Sequence, residues 1–128
     1  MPTTISKLKT KLDKIFSEYI RRRYANHDGT VSCFTCGIVK HWKEQQAGHF
    51  QSRRSHSTRW DEKNVQVQCP RCNLFNQGEQ YKFGNYLDNT YGHGTAEELE
   101  QRAKTIVKLT RVDYEEAIEL YKRKLEEL

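Results

Sequence analysis

The chain has 128 residues, of which 35% are apolar and 30% charged, and its formal net charge is +5. These values indicate one small domain with a thin core and a large polar surface. No apolar run approaches the ~18 residues of a membrane span, and the N-terminus lacks the apolar core of a secretory signal. We therefore expect a cytoplasmic protein that does not contact membranes.

The charge is distributed unevenly along the chain. Residues 1–64 contain 13 Lys and Arg against 6 Asp and Glu, whereas residues 65–128 contain 9 against 11. A basic half favours an anionic partner, most simply a nucleic acid. A Lys-rich solvated surface would give the same balance, so charge alone leaves both interpretations open.

The first predicted element is an amphipathic helix over residues 4–24, within a basic N-terminal segment of residues 1–29. Apolar residues recur there at helical spacing, and Lys and Arg fill the other side. That basic side either contacts phosphates or is simply solvated. The candidate DNA-binding residues on it are Arg21, Arg22 and Arg23.

The middle segment, residues 30–92, is predicted to contain short strands and loops. Residues 45–51 are compatible with a strand, and residues 65–68 alternate with period two and predict another. Residues 52–58 are polar and basic, which indicates a loop. A helix is expected from Arg71 to about Leu87, although it would contain two glycines.

The last segment, residues 93–128, is predicted to be a helical extension with helices at about residues 96–109 and 111–127. Thr95 and Glu98 have the spacing of a capping box, and Thr110 and Asp113 form a weaker one. The final helix has an apolar stripe that we expect to pack against the first helix or a second subunit. Its members are Tyr114, Ile118, Tyr121 and Leu125.

Four cysteines form two Cys-x2-Cys pairs that are separated by 32 residues. Two such pairs complete the tetrahedron that zinc prefers, and four thiolates leave no open position. In a reducing compartment, paired cysteines are metal ligands more often than disulfides. We therefore predict a structural, non-catalytic Zn²⁺ held by Cys33, Cys36, Cys69 and Cys72.

Polar residues with catalytic potential lie between the two pairs and directly after them. His49 would end one strand, Asn64 would open the next, and Asn73 follows the last cysteine. A neutral imidazole can take a proton from water near pH 7, and a hard cation on oxygen ligands can stabilise a phosphate. Taken singly, the three residues could equally be a structural histidine, a turn residue and a helix cap.

The order His49, Asn64, Asn73 between Cys-x2-Cys pairs resembles the HNH nuclease superfamily. More closely, residues 7–92 resemble the NinG (Rap) family of lambdoid phages. The matching stretches are KLDKIFS (11–17), YIR (19–21), CFTCG (33–37), QAGHF (46–50), RWDE (59–62), NV (64–65) and QCPRCN (68–73).

This resemblance implies an α+β fold in which a small ββα-metal (HNH, treble-clef-like) core, stapled by zinc, is flanked by N-terminal and C-terminal helices. It implies a DNA endonuclease that cleaves branched recombination intermediates such as Holliday junctions and D-loops, in the host cytoplasm if the gene belongs to a phage. It also implies a catalytic Mg²⁺ or Mn²⁺. By position, His49 would be the general base, Asn64 would orient it or its loop, and Asn73 would bind the catalytic metal.

One position departs from the HNH pattern. Many HNH enzymes have Asp or His just before the base, as a metal ligand, whereas this chain has Gly48. Asp61 is the nearest candidate for the missing ligand and His56 is a weaker one. Asp61 could instead pair with Arg59 or Arg53, two of the nearby arginines. Those that we expect to position the DNA backbone are Arg53, Arg54 and Arg59.

Two other functions fit part of the sequence. A non-catalytic four-cysteine zinc module could bind DNA or RNA through the same basic half. A protein-interaction domain could use the acidic C-terminal half, but would leave His49 and the arginines without a role. If the enzyme resolves junctions, it must make two coordinated cuts, and a homodimer would supply the two active sites. The apolar stripes of the terminal helices could form the dimer interface.

Overall fold

A computed structural model describes residues 3–128 and shows a small mixed α+β domain. Its elements are α1 (Ile5–Arg22), β1 (Thr30–Ser32), β2 (Val39–His41), β3 (Gln46–His49), α2 (His56–Arg59), β4 (Val65–Gln68), α3 (Gln80–Tyr91), α4 (Thr95–Ala103) and α5 (Arg111–Glu126). Within residues 3–128, no helix has the length and apolar character needed to cross a bilayer.

The strands form two separate antiparallel pairs. In the first, β1 pairs with β2, and the hairpin between them contains the first cysteine pair. In the second, β3 pairs with β4 in a register that sets Gln46 against Gln68 and His49 against Val65. Because β4 runs directly into Cys69, this second pair of strands connects the second pair of cysteines to His49.

The main core lies between α1, α5 and the strands. The apolar stripe of α1 packs on that of α5, and the ring of Phe16 meets the edge of Tyr121 with centroids 4.8 Å apart. The expected packing of the final helix on the first is confirmed. Tyr114, Ile118 and Tyr121 are buried, so this stripe is not free to contact a second subunit, and all three predicted segments contribute to one core.

The helix expected from Arg71 to Leu87 is interrupted. A π-helical turn covers Arg71–Phe75, and the backbone then turns left-handed at Gln77, Gly78 and Glu79, with φ of 53°, 82° and 51°. Left-handed φ values are incompatible with a continuing α-helix. The chain therefore restarts as α3 only at Gln80, and the prediction of one continuous helix is wrong.

Two predictions about the C-terminal helices are corrected. Gly94, not Thr95, is the N-cap of α4, since the Thr95 hydroxyl turns inward and donates to the carbonyl of Gly92. This helix also ends at Ala103, six residues earlier than predicted. The capping box of α5 is complete: Asp113 N–H donates to the hydroxyl of Thr110, and the Asp113 carboxylate accepts from Thr110 N–H at 2.8 Å.

Candidate active site and metal centre

The four cysteine sulfurs lie within 4.8 Å of one another. Cys36 Sγ is 3.7 Å from Cys69 Sγ, and tetrahedral zinc with bonds of ~2.3 Å would set two sulfurs about 3.8 Å apart. The described residues contain no other cluster of three or more His, Cys, Asp or Glu side chains that could share an ion. The donor set and its spacing therefore fit one structural zinc ion.

A hydrogen-bond network that includes Thr35 and Gln68 holds this cysteine cluster in place. Burial opposes ionisation of Cys33, but contacts from the Thr35 hydroxyl and from backbone amides outweigh it and lower the thiol pKa to about 6. Gln68 Nε2 donates to Thr35 Oγ1 at 3.1 Å and to the carbonyl of Gly78 at 2.8 Å. Strand β4 and the turn at Gly78, after the second cysteine pair, are thus both anchored beside the four cysteines.

The same glutamine explains the departure from the HNH pattern at Gly48. A Cβ built on Gly48 would lie 1.9 Å from Gln68 Oε1. The side chain of Gln68 therefore occupies the space that Asp or His at position 48 would need. Position 48 therefore supplies no side-chain metal ligand. A glycine is required there because the Gln68 side chain approaches the backbone so closely.

His49 ends β3 and lines an open cleft of about 440 Å³ between α1 and the second strand pair. Its Nε2 lies 2.9 Å from the carbonyl oxygen of Arg59. Because a carbonyl can only accept, Nε2 carries the proton of the neutral ring and Nδ1 is left as the acceptor. Burial lowers the pKa of His49 to about 4, so the imidazole is neutral at pH 7.

Asn64 is fully buried and ties together the loop between β3 and β4. Its Oδ1 accepts from Gln51 N–H at 2.8 Å, and its Nδ2 donates to the carbonyls of Thr58 at 3.0 Å and Gln51 at 3.3 Å. Thr58 immediately precedes Arg59, whose carbonyl contacts His49. The amide of Asn64 thus fixes the loop that holds the imidazole.

The side chain of Asn73 bonds a residue at the opposite end of β3 from His49. Its Nδ2 donates to Gln46 Oε1 at 2.8 Å. Side chains alternate along a strand, so Gln46 and His49, three residues apart, face opposite sides of β3. Within residues 3–128, no hydrogen bond joins Asn73 to His49 or Asn64. Its role as a metal ligand stays a prediction.

Asp61 is occupied by contacts within the chain. Its Oδ1 accepts from the backbone N–H groups of Lys63 and Asn64 at 2.8 and 3.0 Å, and its Oδ2 pairs with Arg102 at 2.9 Å. Asp61 therefore pairs with an arginine of α4 and not with Arg53 or Arg59, the partners that the alternative expected, and its role as a metal ligand stays a prediction. His56 lies against the Trp60 ring, with centroids 5.7 Å apart. These side chains do not make up a cage for Mg²⁺ or Mn²⁺.

The predicted DNA-binding arginines fall into two groups. Arg53 and Arg59 both pair with Asp13 of α1, and the side chain of Arg23 is only 5% exposed and bonds the carbonyls of Glu62 and Val65. These three are bonded within the chain, although 59% of the Arg53 side chain is exposed. Of the others, Arg54 is exposed. Arg21 and Arg22 flank the Trp42 ring at 5.2 and 5.3 Å, where Arg21 donates to the carbonyl of Trp42 and Arg22 pairs with Glu18.

Sequence reasoning did not single out Asp13 or Trp60 as members of the site, yet both line the cleft with His49. One signal was available for Asp13. It is the only acidic residue among the first 17, which include four lysines. A lone acid on a basic helix is a candidate for a specific partner.

Comparison with known proteins gives one family. The family model described as "Bacteriophage Lambda NinG protein" matches residues 4–128, which include the C-terminal helices. Searches among curated proteins and among solved structures found no match.

Proposed function

Because the chain belongs to the bacteriophage lambda NinG family, we propose that it is an HNH-type endonuclease that hydrolyses phosphodiesters in branched recombination intermediates. In this proposal, β3, β4 and the turn after Cys72 correspond to the ββα-metal unit, and zinc frames the site without taking part in the chemistry. The observation that carries the proposal is the bond of His49 Nε2 to Arg59 O at 2.9 Å. It leaves Nδ1 of a neutral ring free to act as a base in an open cleft.

The reaction needs a proton acceptor beside the scissile phosphate. Nδ1 of His49 takes a proton from water as the water oxygen bonds to phosphorus, and the bond from phosphorus to the leaving sugar oxygen breaks. The leaving oxygen is then protonated from solvent. With a pKa of about 4, His49 is deprotonated at pH 7 but only weakly basic. A bound phosphate would raise that pKa towards neutrality, because a nearby anion favours the imidazolium.

The DNA backbone would meet basic side chains around this cleft. Arg53 and Arg54 are both exposed on the loop beside His49, although Arg53 also pairs with Asp13. Arg21 and Arg22 offer a second basic surface at Trp42. A divalent cation, when bound, would stabilise charge on the phosphate. Since the side chains form no cage for one, any Mg²⁺ or Mn²⁺ would depend largely on DNA oxygens and water.

The test is cleavage of a synthetic four-way junction with and without Mg²⁺ or Mn²⁺. We expect His49→Ala to lose at least ~100-fold in rate, as removal of a general base does, while keeping junction binding and zinc content. His93→Ala is the matched control because His93 is fully exposed in the loop before α4. Cleavage by His49→Ala at the wild-type rate would refute the proposed role.

The absence of a carboxylate cage among the described residues favours one alternative, a non-catalytic zinc module that binds DNA or RNA. The two functions differ in a simple assay. Wild-type protein that binds junctions but leaves them intact with Mg²⁺, with Mn²⁺ and with EDTA would be a binding module. Cleavage that EDTA abolishes would exclude the alternative.

We also propose that the active form on a junction is a homodimer, since two strands must be cut in concert. The stripes of α1 and α5 are buried against each other, so the interface would use another surface. Light scattering with and without junction DNA tests this. A monomer under both conditions would contradict the dimer without affecting the chemistry at His49.

A further inference from the structure

Asp13 makes an unusually complete set of contacts for a surface helix residue. Its Oδ1 accepts from Arg59 Nε at 3.1 Å and from Trp60 Nε1 at 2.9 Å. Its Oδ2 accepts from Arg53 Nη2 at 2.9 Å and from Arg59 Nη2. A carboxylate has about four lone-pair positions, and all are used. Asp13 is therefore unsuited to bind a metal, although it shares the cleft with His49.

The contact with Arg59 leads directly to the imidazole. The guanidinium of Arg59 is held by Asp13 through both Nε and Nη2, and its side chain is only 16% exposed. The main-chain oxygen of the same residue is 2.9 Å from His49 Nε2. One residue thus connects the N-terminal helix to the proposed general base.

The backbone at this point needs such an anchor. Arg59 ends α2, which has only four residues, and a single helical turn is not stable by itself. Asn64 holds the turn through the carbonyl of Thr58, and Ser57 holds it through a hydroxyl bond to Arg102. Asp13 holds the same turn from the side of the cleft, where DNA would bind, through its bonds to the Arg59 side chain.

We infer that Asp13 is a positioning residue. It holds Arg59 and, through the main-chain carbonyl of Arg59, keeps His49 in the Nε2–H tautomer, in which Nδ1 is the acceptor. The inference rests on the proposed function. Without the carboxylate, the Arg59 guanidinium would keep only its 3.3 Å bond to the carbonyl of Arg53 at a poorly solvated position, and would turn towards solvent. The carbonyl would shift with it, and the imidazole would lose its fixed tautomer.

A different effect would follow if Asp13 merely occupied the two arginines. Its removal would then free Arg53 and Arg59 for phosphate, so DNA binding would tighten and cleavage would be unchanged or faster. A positioning role predicts slower cleavage at similar affinity. The two interpretations therefore predict opposite changes in rate.

The test compares Asp13→Asn with Glu115→Gln, which removes one exposed acid from α5. The first readout is the ¹⁵N spectrum of the His49 ring in the zinc-loaded protein without DNA. We expect one Nε2–H tautomer in wild type and in Glu115→Gln, and mixed tautomers in Asp13→Asn. The second readout is junction cleavage, in which kcat should fall about 10- to 100-fold, as for a small misplacement of a reacting group, with KM within ~3-fold.

Arg59→Lys is the second variant, since it keeps the charge but loses the two-pronged contact with Asp13. It should reproduce the mixed tautomers even if Asp13→Asn does not fold. An unchanged His49 spectrum in whichever of these two variants folds would overturn the inference, as would faster cleavage by Asp13→Asn. If wild type cleaves no junction, the proposed function fails, but the ring spectrum still tests the positioning role.

Discussion

Asn64 gives the sharpest test of how the site is held. Its side chain is fully buried and makes three hydrogen bonds, to Gln51 N–H, Gln51 O and Thr58 O. We consider Asn64→Ala, which removes all three bonds without introducing a charge or a larger side chain. The loop between β3 and β4 would then lose the connection between its first residues and α2.

The magnitude follows from these contacts. Each intramolecular hydrogen bond contributes about 1 kcal/mol net, and a buried group left without a partner costs a further ~1 kcal/mol or more. Three lost bonds, with at least one buried carbonyl left unpaired, therefore predict that the free energy of unfolding falls by at least about 3 kcal/mol. Cleavage should fall as well, because the carbonyl that holds His49 belongs to the residue after Thr58.

The assay is urea unfolding of the zinc-loaded protein, followed by circular dichroism. Asn89→Ala is the control, because Asn89 is exposed on α3, and we expect its free energy of unfolding to change by less than ~0.5 kcal/mol. A loss below ~1 kcal/mol for Asn64→Ala would show that the loop is held by other contacts. The reasoning about Asn64 would then be refuted.

Three further predictions concern the pH response, the metal and Gly48. The pKa of His49 in the folded protein, about 4, lies below its ordinary value, so the unfolded chain takes up the proton first as the pH falls. The free energy of unfolding should therefore fall by up to ~3 kcal/mol between about pH 6.5 and 4. His49→Gln should lack this part of the pH dependence in matched urea titrations. Chelation of the zinc should unfold residues 30–78, and unchanged circular dichroism after metal loss would contradict this. Gly48→Ala should lower the free energy of unfolding by about 1–3 kcal/mol, because the new methyl group clashes with Gln68. The double variant Gly48→Ala/Gln68→Ala should recover part of this loss. Wild-type thermal stability of Gly48→Ala would exclude the clash.

Local patterns in the sequence were sufficient for several elements. Period-two alternation predicted β4 at residues 65–68, and helical periodicity predicted α1 to within two residues at either end. The cysteine spacing predicted the cluster whose sulfurs meet within 4.8 Å. The strand and the helix were predicted from residues that lie close together along the chain. The cysteine cluster was predicted because paired cysteines have few other roles.

The rest depends on contacts between distant residues. Asp13 and Arg59 are 46 residues apart, and nothing local to either marks the other as its partner. Arg23 lies in a run of three arginines that looks solvated, yet it is buried against the loop before β4. Gly78 gave a clue to the helix break, but the left-handed backbone at Gln77 and Glu79 did not follow from residue type.

The packing of α1 against α5 has a consequence for the order in which the protein can fold during synthesis. The apolar face of α1 leaves the ribosome about 90 residues before the helix that covers it. Until α5 emerges, α1 lacks the helix on which most of its apolar face packs. The wall of the cleft that α1 forms, which includes Asp13, is therefore not yet held in place. We therefore expect the cleft to assemble only after the C-terminal helix has been translated. A nascent chain stalled before residue 111 would have its cysteine pairs and His49 but not the assembled cleft.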